Sequence, residues 1–135
     1  MDMKEAVIKV FNNYANFNGR ARRSEFWYFV LFNSIVGAAF AALMSLGREG
    51  SFLYRVFYGL SSLYSLAVFV PGLAVAWRRL HDIGKSGANY FWIFLPVAGA
   101  IMLLVWYARE GDHGDNAYGP DPKAEYRESY YSDYQ

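Results

Sequence analysis

From residue 26 to residue 47 the chain runs for twenty-two residues without a charged side chain. Coiled into an α-helix, such a stretch reaches about 33 Å, enough to cross a hydrocarbon core of about 30 Å. A soluble core helix of that length keeps a polar stripe for water. This run has Asn33 as its one strongly polar residue. Two more apolar runs follow, at residues 56–76 and 88–108. Backbone groups in lipid must be satisfied within their own segment, which for runs of this kind means helices. The sequence therefore predicts an all-α integral membrane bundle of three transmembrane helices, occupying residues 26–110.

The mean hydropathy is near zero because polar segments flank this domain. Residues 1–25 form an amphipathic segment and a basic turn. Within them Val7, Val10, Phe11 and Tyr14 fall at helical spacing, opposite Lys4, Glu5, Lys9, Asn12 and Asn13. Such a helix suits the membrane interface, and equally suits packing on its own domain. The first sixteen residues lack the continuous apolar region of a secretory signal. Ser24 is the expected N-cap of the first span, with Glu25 opposing the helix dipole. Residues 111–135 carry six acids against two bases and are rich in tyrosine, so an acidic, mobile tail is expected.

Two patterns support the membrane reading. Trp27, Trp77, Trp92 and Trp106 sit at or near run ends, with Tyr28, Tyr54, Tyr90 and Tyr107 beside them. That is the aromatic belt expected of amphipathic rings. Charge is also asymmetric. If the three helices alternate, Lys4, Lys9, Arg20, Arg22, Arg23, Arg78, Arg79 and Lys85 share one side, against Arg48, Arg55, Arg109, Lys123 and Arg127. The excess puts the N-terminus in the cytoplasm and the C-terminus outside. A third run that turned back at Pro96 would instead keep the tail inside.

Composition excludes several chemistries. The net charge of +1 and the 19% charged residues argue against a nucleic-acid partner. Zero cysteines leave no disulfide framework, thiolate nucleophile or zinc ribbon. His81-Asp82 invites a metal or phosphohydrolase reading, but the second histidine, His113, falls on the tail, expected across the membrane, so no metal or other cofactor is expected. Gly84-Lys85-Ser86 mimics the end of a phosphate-binding loop, yet position 79 is arginine where that motif needs glycine. Ser61, Ser62 and Ser65 have no histidine at their depth, and no charged residue lies deep in any run to carry a proton relay. No catalytic constellation is visible.

What remains is packing and charge. Ser61, Ser62 and Ser65 share one helix face with Tyr58 and are expected to turn inward, where hydroxyls find partners; Pro71 removes one backbone bond nearby. Asn33 is expected to bind helices together. Ser34, Gly37, Ala38, Ala41 and Ala42 form small-residue ridges for close helix approach, within the bundle or against another subunit. Arg20, Arg22, Arg23, Arg78, Arg79 and Lys85 gather at one face, where they serve orientation or, with His81 and Asp82, form a pocket for anionic lipid or an acidic partner. Asp82 is expected to pair with Arg78 or with an arginine of the 20–23 cluster.

Three phrases occur in order: Phe17-Asn18-Gly19-Arg20-Ala21-Arg22-Arg23-Ser24-Glu25-Phe26-Trp27, then Arg78-Arg79-Leu80-His81-Asp82 with Ser86-Gly87, then Asn116-Ala117-Tyr118-Gly119-Pro120-Asp121-Pro122. In this order and spacing they resemble the bacterial inner-membrane family known as domain of unknown function 805, over residues 11–122. Ala88-Asn89 precedes Tyr90 where many relatives have an aromatic residue at once. The resemblance implies a multi-helix inner-membrane protein and assigns no activity. The function expected is a non-enzymatic interaction or scaffold subunit engaging membrane lipid or a partner, another copy or another membrane protein, through its basic face. The alternative is a small oligomeric transport or channel component.

Overall fold

The computed structural model describes residues 1–133 and is helical throughout its regular elements. Helix α1 spans Met3–Asn12, α2 Arg23–Ser45 and α3 Phe52–Asp82; a 3-10 helix, Gly87–Phe94, precedes α4, Ala98–Ala108, and α5 is Ala124–Ser132. Helices α2 and α3, 23 and 31 residues long, are each apolar enough and long enough to cross a membrane, and α4 is a shorter apolar helix. The all-α membrane architecture expected from the sequence holds, compatible with a bundle of three apolar helices.

The third run takes the turned-back form. Its 3-10 half and α4 meet at Leu95–Val97, where Pro96 ends one helix and Val97 adopts a left-handed φ of 60°. With eleven residues α4 is about 16 Å long, half of what a crossing needs. Both ends of the run lie together: the Lys85 ammonium sits 4.6 Å over the Trp106 ring. Gly87, at the start, is pressed so closely on the Trp77 indole that a β-carbon would overlap it.

Buried side chains collect at one end of the molecule. Val10 of α1, Phe26 and Phe29 of α2, Val75, Ala76 and Leu80 of α3, and Leu103 and Tyr107 of α4 form one apolar cluster. Beyond it, α2 from residue 34 and α3 before residue 71 carry no fully buried residue. Their outer halves form a two-helix hairpin whose apolar surface suits acyl chains. Asn33 does tie this hairpin: its Oδ1 accepts from the Tyr64 hydroxyl at 2.6 Å while its Nδ2 donates to the Phe29 carbonyl at 2.9 Å.

Other packing expectations need correction. Ser62 and Ser65 are exposed and Ser61 half-buried, and the Ser62 hydroxyl bonds the Tyr58 carbonyl of its own helix, which satisfies it without a neighbour. Ser34, Gly37, Ala38, Ala41 and Ala42 also face outward, and a β-carbon at Gly37 would touch nothing within 4 Å. Ser34 and Ala41 border grooves shared with α3, and Gly37 meets no neighbour. The N-cap of α2 is Arg22, not Ser24, and the buried Ser24 hydroxyl makes no hydrogen bond among the described residues.

Helix α1 packs on α2 through Ala6 and Val10, and Phe11 meets Phe29 edge to face with centroids 5.9 Å apart. Ile8 on its other side is exposed, so of the two roles read from its sequence the helix takes packing on its own domain. At the far end of α3 a left-handed Gly84 (φ 75°) lets Lys85 N–H reach the Leu80 carbonyl and Gly84 N–H the His81 carbonyl, closing the helix with a Schellman motif.

Candidate functional site

The polar residues singled out in the sequence converge on the closed end of the bundle, and most of them bind one another. Arg20 stands just before α2, and its Nε donates to Asp82 Oδ1 at 2.9 Å. Arg79, one turn before Asp82 on α3, donates to the other carboxylate oxygen at 2.5 Å. Two guanidinium groups thus share one carboxylate, with side-chain exposures of 1%, 0% and 4%. Next to them Arg78 donates to Glu25 Oε1 at 2.7 Å, both groups buried, and Lys9 lies 3.8 Å from the other oxygen of Glu25. Asp82 therefore pairs with Arg20 and Arg79, and Arg78 pairs with Glu25, which sequence reading had assigned only to the helix dipole.

The spare N–H groups of these arginines hold the segment after α4. Arg20 donates to the carbonyls of Asp112 and Gly114, each at 2.6 Å. Arg79 donates to Tyr107 at 3.1 Å and also to the Arg109 carbonyl. Arg23 reaches the Ala108 carbonyl at 3.2 Å, and the Trp27 indole N–H joins Arg79 on Tyr107 at 3.1 Å. The last turn of a helix leaves carbonyls without intrahelical donors. Here residues of α2 and α3 supply those donors to α4, and the cations suit the negative end of its dipole.

The third motif closes the arrangement. Asn116 N–H and Gly119 carbonyl, and the reverse pair, bond at 3.1 and 3.2 Å in a tight turn. That turn lays Tyr118 on the His81 ring, centroids 4.2 Å apart and planes within 3°. Asn116 Nδ2 donates to the His81 carbonyl at 2.9 Å, and His81 Nδ1 lies 2.9 Å from the Gly19 carbonyl. The backbone N–H groups of Gly114 and Lys123 each donate to Asp121 at 2.9 Å, and Arg127 Nε does the same. Burial alone would raise the Asp121 carboxyl, but those N–H bonds and the Arg127 charge outweigh it and hold it below the ordinary aspartate range. Gly111 passes so close to Asp82 that a β-carbon would strike the carboxylate.

Two expectations change accordingly. Residues 109–121 are not a free tail; they are docked on the same end as Arg20 and Asp82, because the third run turns back. And Arg20, Arg78, Arg79, His81 and Asp82 are buried, the arginines paired with Asp82 or Glu25, so a lipid headgroup has no access to them. Of the basic residues proposed for contact, Arg22, Arg23 and Lys85 keep partial exposure. Lys123, which the sequence reading placed on the opposite side, joins Arg22 and Arg23. Burial first, then the charge of Arg23, lowers its ammonium below the ordinary lysine range, with Arg22 and Arg127 adding and Glu110 opposing. Its signal in the sequence, position next to Pro122, was visible, but its neighbours were set by the docking of the tail.

Two long apolar helices, a short third one and a head locked by buried ion pairs define a helical inner membrane protein of unknown function. The chain belongs to the family described as Protein of unknown function (DUF805), whose model matches residues 14–120. It is 47% identical over 117 residues to the inner membrane protein YhaI of Escherichia coli K12, covering 86% of this chain and 93% of that one. It is 36% identical over 124 residues to the inner membrane protein YhaH of the same organism, covering 87% and 96%. No solved structure matches the chain.

Proposed function

We propose that this protein is a non-enzymatic membrane interaction subunit that engages anionic lipid at a basic cytoplasmic face. The observation that carries the reading is the division of its cations. Arg20, Arg78 and Arg79 are spent inside the head on Asp82 and Glu25, whereas Arg22, Arg23 and Lys123 have no carboxylate within ion-pair distance among the described residues. Arg23 shares a groove with Trp27 and Tyr28, rings of the kind that mark the headgroup level of a bilayer, and Arg22 and Lys123 stand near Arg23. Of the thirteen Lys and Arg residues, Arg48 and Arg55 alone lie at the α2–α3 turn, and the others sit on segments that gather at the opposite end. That asymmetry favours both termini in the cytoplasm, facing the anionic leaflet.

Lipid analysis of the protein purified in mild detergent tests the reading. The expected result is phosphatidylglycerol or cardiolipin enriched over its share in the source membrane, with the enrichment falling as salt rises. Lipid carried in the proportions of the source membrane overturns it.

A further inference from the structure

We infer that the groove between the start of α2 and the end of α4 is a binding site for one anionic phospholipid, the phosphate held by Arg22, Arg23 and Lys123. The inference rests on the lipid-engaging reading above and gives it a place. The groove is lined by Arg23, Ser24, Trp27, Tyr28, Leu31 and Ala108 and encloses about 490 Å³. Arg23 is the cation on its lining, Lys123 and Arg22 stand close enough to Arg23 to feel its charge, and the rest of the groove is mostly apolar.

Arg23 spends one N–H on the Ala108 carbonyl and keeps the rest of its guanidinium uncommitted among the described residues. The Ser24 hydroxyl on the groove is a buried polar atom with no hydrogen-bond partner among the described residues, a state that costs free energy. A phosphodiester supplies acceptor oxygens for the free N–H groups of Arg23 and negative charge for the three cations. Below it, Trp27, Leu31 and Ile35 follow at four-residue spacing on α2, one beneath another on the same face. Leu31 is 48% and Ile35 52% exposed. That track leads from the cations into the depth of the bilayer, as an acyl chain does. A free phosphate or an acidic peptide would use the rim and leave the track bare, so the shape selects lipid.

Native mass spectrometry of the full chain, exchanged into detergent with phosphatidylglycerol and phosphatidylethanolamine, tests the site. The wild type retains one phosphatidylglycerol. Arg23→Gln and Lys123→Gln each lower its retention about fivefold, the equivalent of about 1 kcal/mol per cation. Leu31→Trp, which fills the groove without changing charge, also lowers it, and Lys85→Gln leaves it unchanged. Millimolar inorganic phosphate does not displace the lipid. Undiminished retention in all three groove variants, an equal loss in Lys85→Gln, or displacement by phosphate overturns the site while the lipid-engaging reading stands. A wild type that retains no anionic lipid overturns that reading and the site together. All of these positions are partly exposed, and equal melting temperatures identify variants that keep the fold.

Discussion

The Tyr14 hydroxyl donates to the Ala67 carbonyl, which is the acceptor that Pro71, four residues on, cannot serve. Proline has no N–H, so a helix that contains one leaves a carbonyl bare one turn earlier. In a membrane helix that carbonyl needs another donor. Here the segment after α1 provides it, and the same contact fixes the N-terminal helix against α3.

Tyr14→Phe should therefore destabilise the fold by about 0.5–1.5 kcal/mol, the range for one ordinary intramolecular hydrogen bond. Pro71→Ala restores the backbone donor, and in that background Tyr14→Phe should cost much less. Thermal unfolding of the four proteins in detergent measures the coupling. Additive losses would mean that the hydroxyl and the proline act independently.

Asp82 holds two arginines, so its loss leaves two buried charges without a partner. Asp82→Asn should cost about 3–5 kcal/mol and release residues 109–121, which limited proteolysis reports as new cleavage there. Gly111→Ala should act in the same direction by driving a methyl group into the carboxylate. Arg48→Gln, at the other end of the molecule, should change neither stability nor cleavage. Proteolysis of Asp82→Asn confined to the extreme C-terminus would refute the docking.

Acid should loosen the end of the chain at one residue. Asp121 has its carboxyl depressed in the folded state, so its contribution is complete above the ordinary aspartate value of about 3.9 and is lost as pH falls through the lower folded value. Hydrogen exchange at the Gly114 and Lys123 amides should rise in that acid range. In Asp121→Asn it should be fast at neutral pH and nearly independent of acid. Protection in the variant equal to wild type would remove Asp121 from this role.

The turned-back third run predicts the sidedness of both ends. The chain has no cysteine, so single cysteines are clean reporters. Asp2→Cys and Ser129→Cys should react with an impermeant maleimide from one side of the membrane and Glu49→Cys from the other. Ser129→Cys labelled together with Glu49→Cys would restore a third crossing.

Much of this was legible in order along the chain. Uncharged runs announce helices in lipid because nothing else there can satisfy the backbone, and tryptophans mark the run ends. Asn33 could be read as a link between helices because an amide in an apolar run must find a partner. The direction of the serine face could not be read: Ser62 closes its bond on the Tyr58 carbonyl of its own helix, which the sequence allows as readily as a bond to a neighbour. The pairing of Asp82 was legible in part: the 20–23 cluster does supply Arg20, but local spacing suited Arg78 and Arg79 alike, and only the fold gives Arg78 to Glu25 and Arg79 to Asp82.

Sequence by itself determined that the chain enters the membrane, where its long helices lie and which residues are too polar to stay there. Tertiary structure decided what those polar residues do, because an ion pair depends on distances across segments far apart in the chain. One bend at Leu95–Val97 returns the chain to its starting face, and there buried carboxylates claim Arg20, Arg78 and Arg79. Arg22, Arg23 and Lys123 are left without a carboxylate partner among the described residues.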